Sequence, residues 1–178
     1  MTSLVEMVTG EATARHAHHE AGHAVAAVAR GGTLVDIYLG HADWSTTDEI
    51  ADTPGGTVHE SRWEDQPFVT FAGPCATAMW ILHNDPDVDD LGEALAFGWD
   101  EEDHDREKYD ARVEPLQTAA AELGFPLPWL PWESEWCDEL EELWPAIEQV
   151  AALLIDGQPV DHRVVAELVE QLRPQIRR

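Results

Sequence analysis

The run His18-His19-Glu20-Ala21-Gly22-His23, with the stretch that follows it, constrains the fold more than any other part of the chain. From Ala21 to Ala29 the residues are small and apolar nearly all round, so a helix made of them has to be buried on several sides. The local composition predicts one helix from Glu11 to Arg30, with Thr9 as its cap and Gly31-Gly32 as its stop. On that helix His19 and His23 are four residues apart and share a face, so two imidazole nitrogens can meet one metal ion. Glu20 lies about 100° further round, where its carboxylate can reach a metal-activated water without occupying the metal. Two neutral histidines, an open coordination position and a carboxylate base are what zinc-assisted hydrolysis requires. Gly22 costs about 1 kcal/mol against alanine in mid-helix, which predicts close approach of another backbone or of the metal shell there. His16 and His18 read as partly exposed helix residues rather than ligands.

The length of 178 residues suits one domain over 1–178, with a core at about 10–123 and a C-terminal helical part at about 124–178. Acidic residues number 36 against ten Lys and Arg, for a formal charge of −26, and Lys108 is the single lysine. Such a surface repels phosphate, which argues against direct nucleic-acid binding. The first fourteen residues lack the basic start and apolar stretch of a secretory signal, and no window has the composition of a membrane span. Cys75 and Cys137 match no paired zinc spacing and read as buried free thiols in a reducing compartment. A cytoplasmic location is therefore expected.

The element pattern predicts a mainly α (α+β) fold with a small two-stranded β element. Thr33 to Leu39 alternates and is flanked by glycines, as a strand, and Gly55 to Glu60 is a second short strand that can pair with it. His41 to Pro54 reads as an exposed loop. Glu64 to His83 reads as a helix with a kink or late start at Pro74, and Asn84 to Leu91 as an Asp/Pro loop. A third helix is expected from the acidic run Asp100–Asp103 to about Leu123. The proline-rich segment Gly124 to Pro131 is a rigid connector. It leads to a helix from about Glu133 to Ile155 and a short one from Asp161 to Leu172. Trp129, Trp132, Trp136 and Trp144 cluster around the connector as core aromatics.

A catalytic site needs a third ligand. The longer signature with a histidine six residues after the second is absent, because Ala29 occupies that slot. The acidic helix start offers Asp103 and Asp105 on either side of His104, and a carboxylate there can be held by backbone N–H groups while its other oxygen meets a metal.

The phrase His19-Glu20-Ala21-Gly22-His23-Ala24-Val25 resembles the opening of the peptidase domain of the FtsH-type AAA metalloproteases. The strand at Leu34–Leu39, the phrase Phe71-Ala72-Gly73-Pro74-Cys75-Ala76 and the acidic segment follow in the family's order, from about Ala14 to Leu172. The family's ligand aspartate is followed four and eight residues later by small residues. Counted from Asp103 these are Glu107, a departure, and Ala111, whereas Asp105 leads to Val113, so the resemblance favours Asp103. The closing segments around Trp144-Pro145-Ala146 and Val160-Asp161-His162 are similar to the family's last pair of helices.

What the resemblance implies is a helical zincin-like peptidase domain, with one zinc ion on His19, His23 and Asp103 and with Glu20 as general base. The substrate is then a peptide or protein. Apart from the resemblance, the strand at Leu34–Leu39 offers an edge to which an extended peptide is expected to add. Two departures matter. There is no GxxxxGK[ST] phosphate loop, so the family's ATPase motor is missing from these residues, and a ring oligomer or a separate ATPase partner is left open. Thr77 stands where the family's Gly-x-x-Ala-Glu phrase carries an acid. The rival expectation is an inactive zinc-bearing relative, or an acidic interaction module that imitates nucleic acid.

Overall fold

The computed structural model describes residues 4–40, 55–100, 103–124 and 132–176. The expected loop 41–54, most of the connector 124–131 and Trp129 lie outside the described residues, as does the side chain of Trp132. Among the described residues the fold is mainly helical with one two-stranded antiparallel sheet.

Helix α1, Leu4–Ala29, is the axis of the molecule. It begins ahead of Thr9, which is therefore inside the helix rather than its cap. Ala17, Ala21 and every residue from Ala24 to Val28 are buried, as an all-round apolar surface demands. The helix closes where expected: Gly31 takes φ 80°, its N–H bonds Val28 O at 2.9 Å, and the Gly32 N–H reaches Ala27 O at 2.8 Å. Those two bonds satisfy carbonyls that the helix leaves free, in a left-handed turn that glycine adopts without strain. Strand β1, Thr33–Leu39, then pairs with β2, Gly55–Glu60, from Thr33↔Glu60 to Leu39↔Gly55, with an irregularity between Leu34 and Asp36.

Helix α2, Gln66–Asn84, runs through Pro74 and starts well before it, so the expected late start is not observed. It lies against α1 so closely that a Cβ added at Gly22 would strike Ala72 O and come within 2.8 Å of Ala76 Cβ. Gly22 thus permits the backbone approach that its position suggested.

Helix α3, Leu91–Asp100, was not anticipated. Asp90 caps it, its Oδ1 accepting the Glu93 N–H at 2.9 Å, and it buries Ala94 and Trp99. Helix α4, Asp103–Glu122, is polar apart from a narrow buried stripe. Helix α5, Trp132–Ile155, and α6, His162–Ile176, complete the fold, with α6 capped by Asp161 and running past the expected end at Leu172.

One continuous core joins Val25 of α1, Phe68, Val69 and Phe71 of α2, Leu140, Ile147 and Val150 of α5, and Val165 of α6. Both cysteines are free and buried, their sulfurs 3.4 Å apart between α2 and α5. Among the described residues no helix is long and apolar enough to cross a membrane.

Candidate metal centre

The all-round burial of α1 takes His19, Glu20 and His23 inside with it, to 3%, 8% and 8% exposure. A carboxylate from α4 meets the two imidazoles. Asp105 Oδ2 lies 3.0 Å from His19 Nε2 and 2.8 Å from His23 Nε2, and the two Nε2 atoms are 3.0 Å apart. Three ligand atoms of the types that divalent transition metals prefer therefore converge on one point.

Among the described side chains the carboxylate brought to the pair is that of Asp105, whereas the resemblance favoured Asp103. Asp103 is the first residue of α4, and its side chain lies outside the described residues. His16 and His18 stay half-buried on other faces of α1, as expected.

Each ligand is held from behind. His23 Nδ1 donates to Val69 O at 2.7 Å, since a carbonyl can only accept. In neutral imidazole that leaves Nε2 as a lone pair aimed at Asp105. His19 Nδ1 lies 3.3 Å from the Thr77 hydroxyl, so the residue that departs from the family phrase still contacts a ligand ring. Asp105 Oδ1 accepts from Lys108 Nζ at 3.0 Å, which leaves Oδ2 for the histidines. Partners of this kind fix ring orientation and ligand basicity in metal sites.

The residues fit a metal ion on two grounds. The donor set is two imidazoles and a carboxylate, and donors about 3 Å apart suit an ion bound at about 2 Å from each. The second ground is the glycine beside them, which lets the α2 backbone pass close to the donor atoms: a Cβ added at Gly73 would collide with His23 Nε2 and lie 2.7 Å from His19 Nε2. Without a metal, acceptors this close need a proton between them. Burial alone would lower the His23 pKa, but the hydrogen bond and charge of Asp105, with Glu20 adding to them, raise it to about 9. Against its own burial, the Asp105 carboxyl is held far below the usual range by hydrogen bonds from His19 and His23, with the charges of those rings.

Glu20 is fixed from the sheet. The Thr57 hydroxyl of β2 donates to Glu20 Oε2 at 2.6 Å, and Gly55 packs so close that a Cβ there would come within 3.0 Å of Glu20 Oε1. The sheet thus orients the motif's carboxylate, a role that nothing in Thr57's own sequence setting indicates. Also on β2, His59 has its pKa lowered to about 4 by burial first, then by the charges of His23, Arg112 and Lys108. Those two cations are four residues apart on α4, near the ligand cluster.

No family model, curated protein or solved structure matches this chain. The functional reading therefore rests on the residues themselves.

Proposed function

We propose that the protein is a zinc-dependent metallopeptidase of the HExxH type, resembling a stand-alone FtsH-type peptidase domain. The observation that carries this reading is the convergence of His19, His23 and Asp105 within 3.0 Å of one another, with the Glu20 carboxylate held beside them by Thr57. His19, His23 and Asp105 would hold the ion. Bound there, zinc supplies a Lewis acid that polarises a carbonyl and brings the pKa of water towards about 7.

The chain's own groups do the rest. Glu20 takes the proton from the attacking water at one carboxylate oxygen while Thr57 holds the other, then returns it to the leaving amine. Burial of the cluster excludes competing solvent and strengthens each electrostatic contact. Val69 O and Thr77 keep the imidazoles oriented, and Lys108 restrains Asp105.

The test is Glu20→Gln, which keeps shape but removes the base. The reading expects one zinc per chain in both proteins, and peptide hydrolysis in the wild type alone, reduced by about 100-fold or more in the variant. Equal hydrolysis by both proteins would overturn it. So would zinc-loaded wild type that cleaves no peptide in a diverse library; the acidic-interaction reading would then replace it.

A further inference from the structure

Ten cations share this chain with 36 carboxylates, so a positive side chain without an acidic partner is unexpected. Arg30 holds Glu139, Arg62 holds Asp65, Arg106 holds Asp110, Lys108 holds Asp105 and Arg163 holds Glu167. Arg112 differs. Its Nη1 donates to the neutral hydroxyl of Thr70, and among the described residues no carboxylate forms an ion pair with it. It is also half-buried, so its charge is less relieved by water than that of the exposed cations, and burial lowers its pKa.

Its place is specific. Thr70 is buried on α2 directly after Val69, whose carbonyl orients His23. Arg112 is seven residues, or about two helical turns, beyond Asp105 on α4, and its charge acts on Asp105 and on His59 of β2. The guanidinium is therefore anchored to α2 through Nη1, within electrostatic reach of Asp105 and His59, and among the described residues no carboxylate pairs with it. Paired carboxylate oxygens match a guanidinium fork bidentately, which a point charge cannot do.

We infer that Arg112 is a specificity residue that receives a carboxylate of the substrate next to the scissile bond. This rests on the metallopeptidase reading and deepens it to a class of substrate: peptides that present an Asp or Glu side chain, or the C-terminal carboxylate, to the site. An overall charge of −26 disfavours acidic peptides at long range. A local cation therefore decides which acidic group is accepted and where it sits.

The experiment uses the full chain loaded with zinc and three matched peptide sets: Glu or Asp against Gln or Asn at each position, and free against amidated C-termini. kcat/KM is measured for wild type, R112Q and R112K, alongside calorimetric binding of the same peptides to zinc-loaded E20Q and its R112Q double variant. The inference expects a wild-type preference of about tenfold or more for one carboxylate source, and the set that responds names the source. R112Q abolishes that preference in both cleavage and binding, lowering kcat/KM on the carboxylate peptides far more than on the neutral ones, and R112K restores part of it. Cleavage without any carboxylate preference overturns this inference and leaves the peptidase reading standing, as does equal loss on every peptide in R112Q. Arg112-dependent binding of acidic peptides with no cleavage by any protein sinks the peptidase reading and the specificity role with it, leaving Arg112 as a carboxylate-binding residue only. Neither cleavage nor carboxylate-dependent binding overturns both.

Discussion

Two polar clusters hang from opposite parts of α1, and they are balanced in opposite ways. Past its C-terminal end, Arg30 lies over the Phe68 ring at 4.3 Å, donates to Glu139 of α5 through Nε at 2.9 Å, and sits 3.7 Å from Asp65 at the start of α2. One cation meets two carboxylates, and Arg62 supplies a second cation to Asp65 at 2.7 Å. That cluster is complete in itself and clamps three helices together. In the middle of α1, His19, His23 and Asp105 bring together three atoms that are natural acceptors, and the cation they need is a proton or a metal ion. The contrast separates a polar cluster that is balanced within the chain from one that is not. The first carries its own counter-charge; the second is arranged to take one from solution.

The largest effect that would sharpen this contrast is Gly73→Ala. The new Cβ collides with the Nε2 atoms of both histidines, so zinc affinity is expected to fall by about 100-fold or more while the Arg30 cluster is untouched. Zinc titration followed by a thermal melt reads both, and unchanged affinity would break the account of the glycine beside the rings. Next comes Arg30→Met, which leaves Glu139 and part of Asp65 without a partner. Because Arg30 and Glu139 are about one-third exposed, a loss of only about 1–2 kcal/mol in denaturant unfolding is expected, with zinc affinity unchanged.

The smallest effect concerns pH. In metal-free protein the His23 pKa is raised from 6.5 to about 9, so its contribution to stability is full below 6.5 and is lost as pH rises through about 9. Metal-free protein should thus melt at lower temperature at high pH. Asp105→Asn should remove that slope, since Asp105 is the main cause of the raised value. Zinc binding should run the other way and tighten as pH rises, because the ion replaces a proton. A flat melting profile in the metal-free protein would contradict the proton-for-metal balance.

Most of the fold was legible, because its signals are local. The small apolar run of α1, the glycine stop at Gly31-Gly32 and the alternation at Thr33–Leu39 each specify an element without reference to the rest of the chain. Helix α3 has a weaker local mark, Asp90 and Glu93 at its start, and its stretch has no assignment between the Asp/Pro loop and the acidic run. Half of the site was legible for the same local reason: His19, Glu20 and His23 are set by one helical turn.

The carboxylate that joins them was narrowed only to Asp103 or Asp105, because Asp105 is 82 residues beyond His23 and its choice depends on which face of α4 turns inward. Two positions two residues apart on a helix differ by about 200°, so Asp103 and Asp105 cannot be equivalent. The usable signal was Tyr109 and Val113, four and eight residues after Asp105. They are buried residues in an otherwise polar helix and place Asp105 on the inward stripe. Small residues at those spacings, sought from the family resemblance, pointed instead to Asp103. The hold of Thr57 on Glu20 was hidden for a related reason, as it arises only when β2 folds back over α1.

The account stands on one claim, that His19, His23 and Asp105 together hold a single ion. Calorimetric zinc titration of the full chain beside Asp105→Ala and Asp103→Ala tests it directly. The account predicts one tight site in the wild type, the same site in Asp103→Ala, and an affinity at least about 100-fold weaker in Asp105→Ala. No zinc binding by the wild type, or a site that survives Asp105→Ala intact, would contradict it.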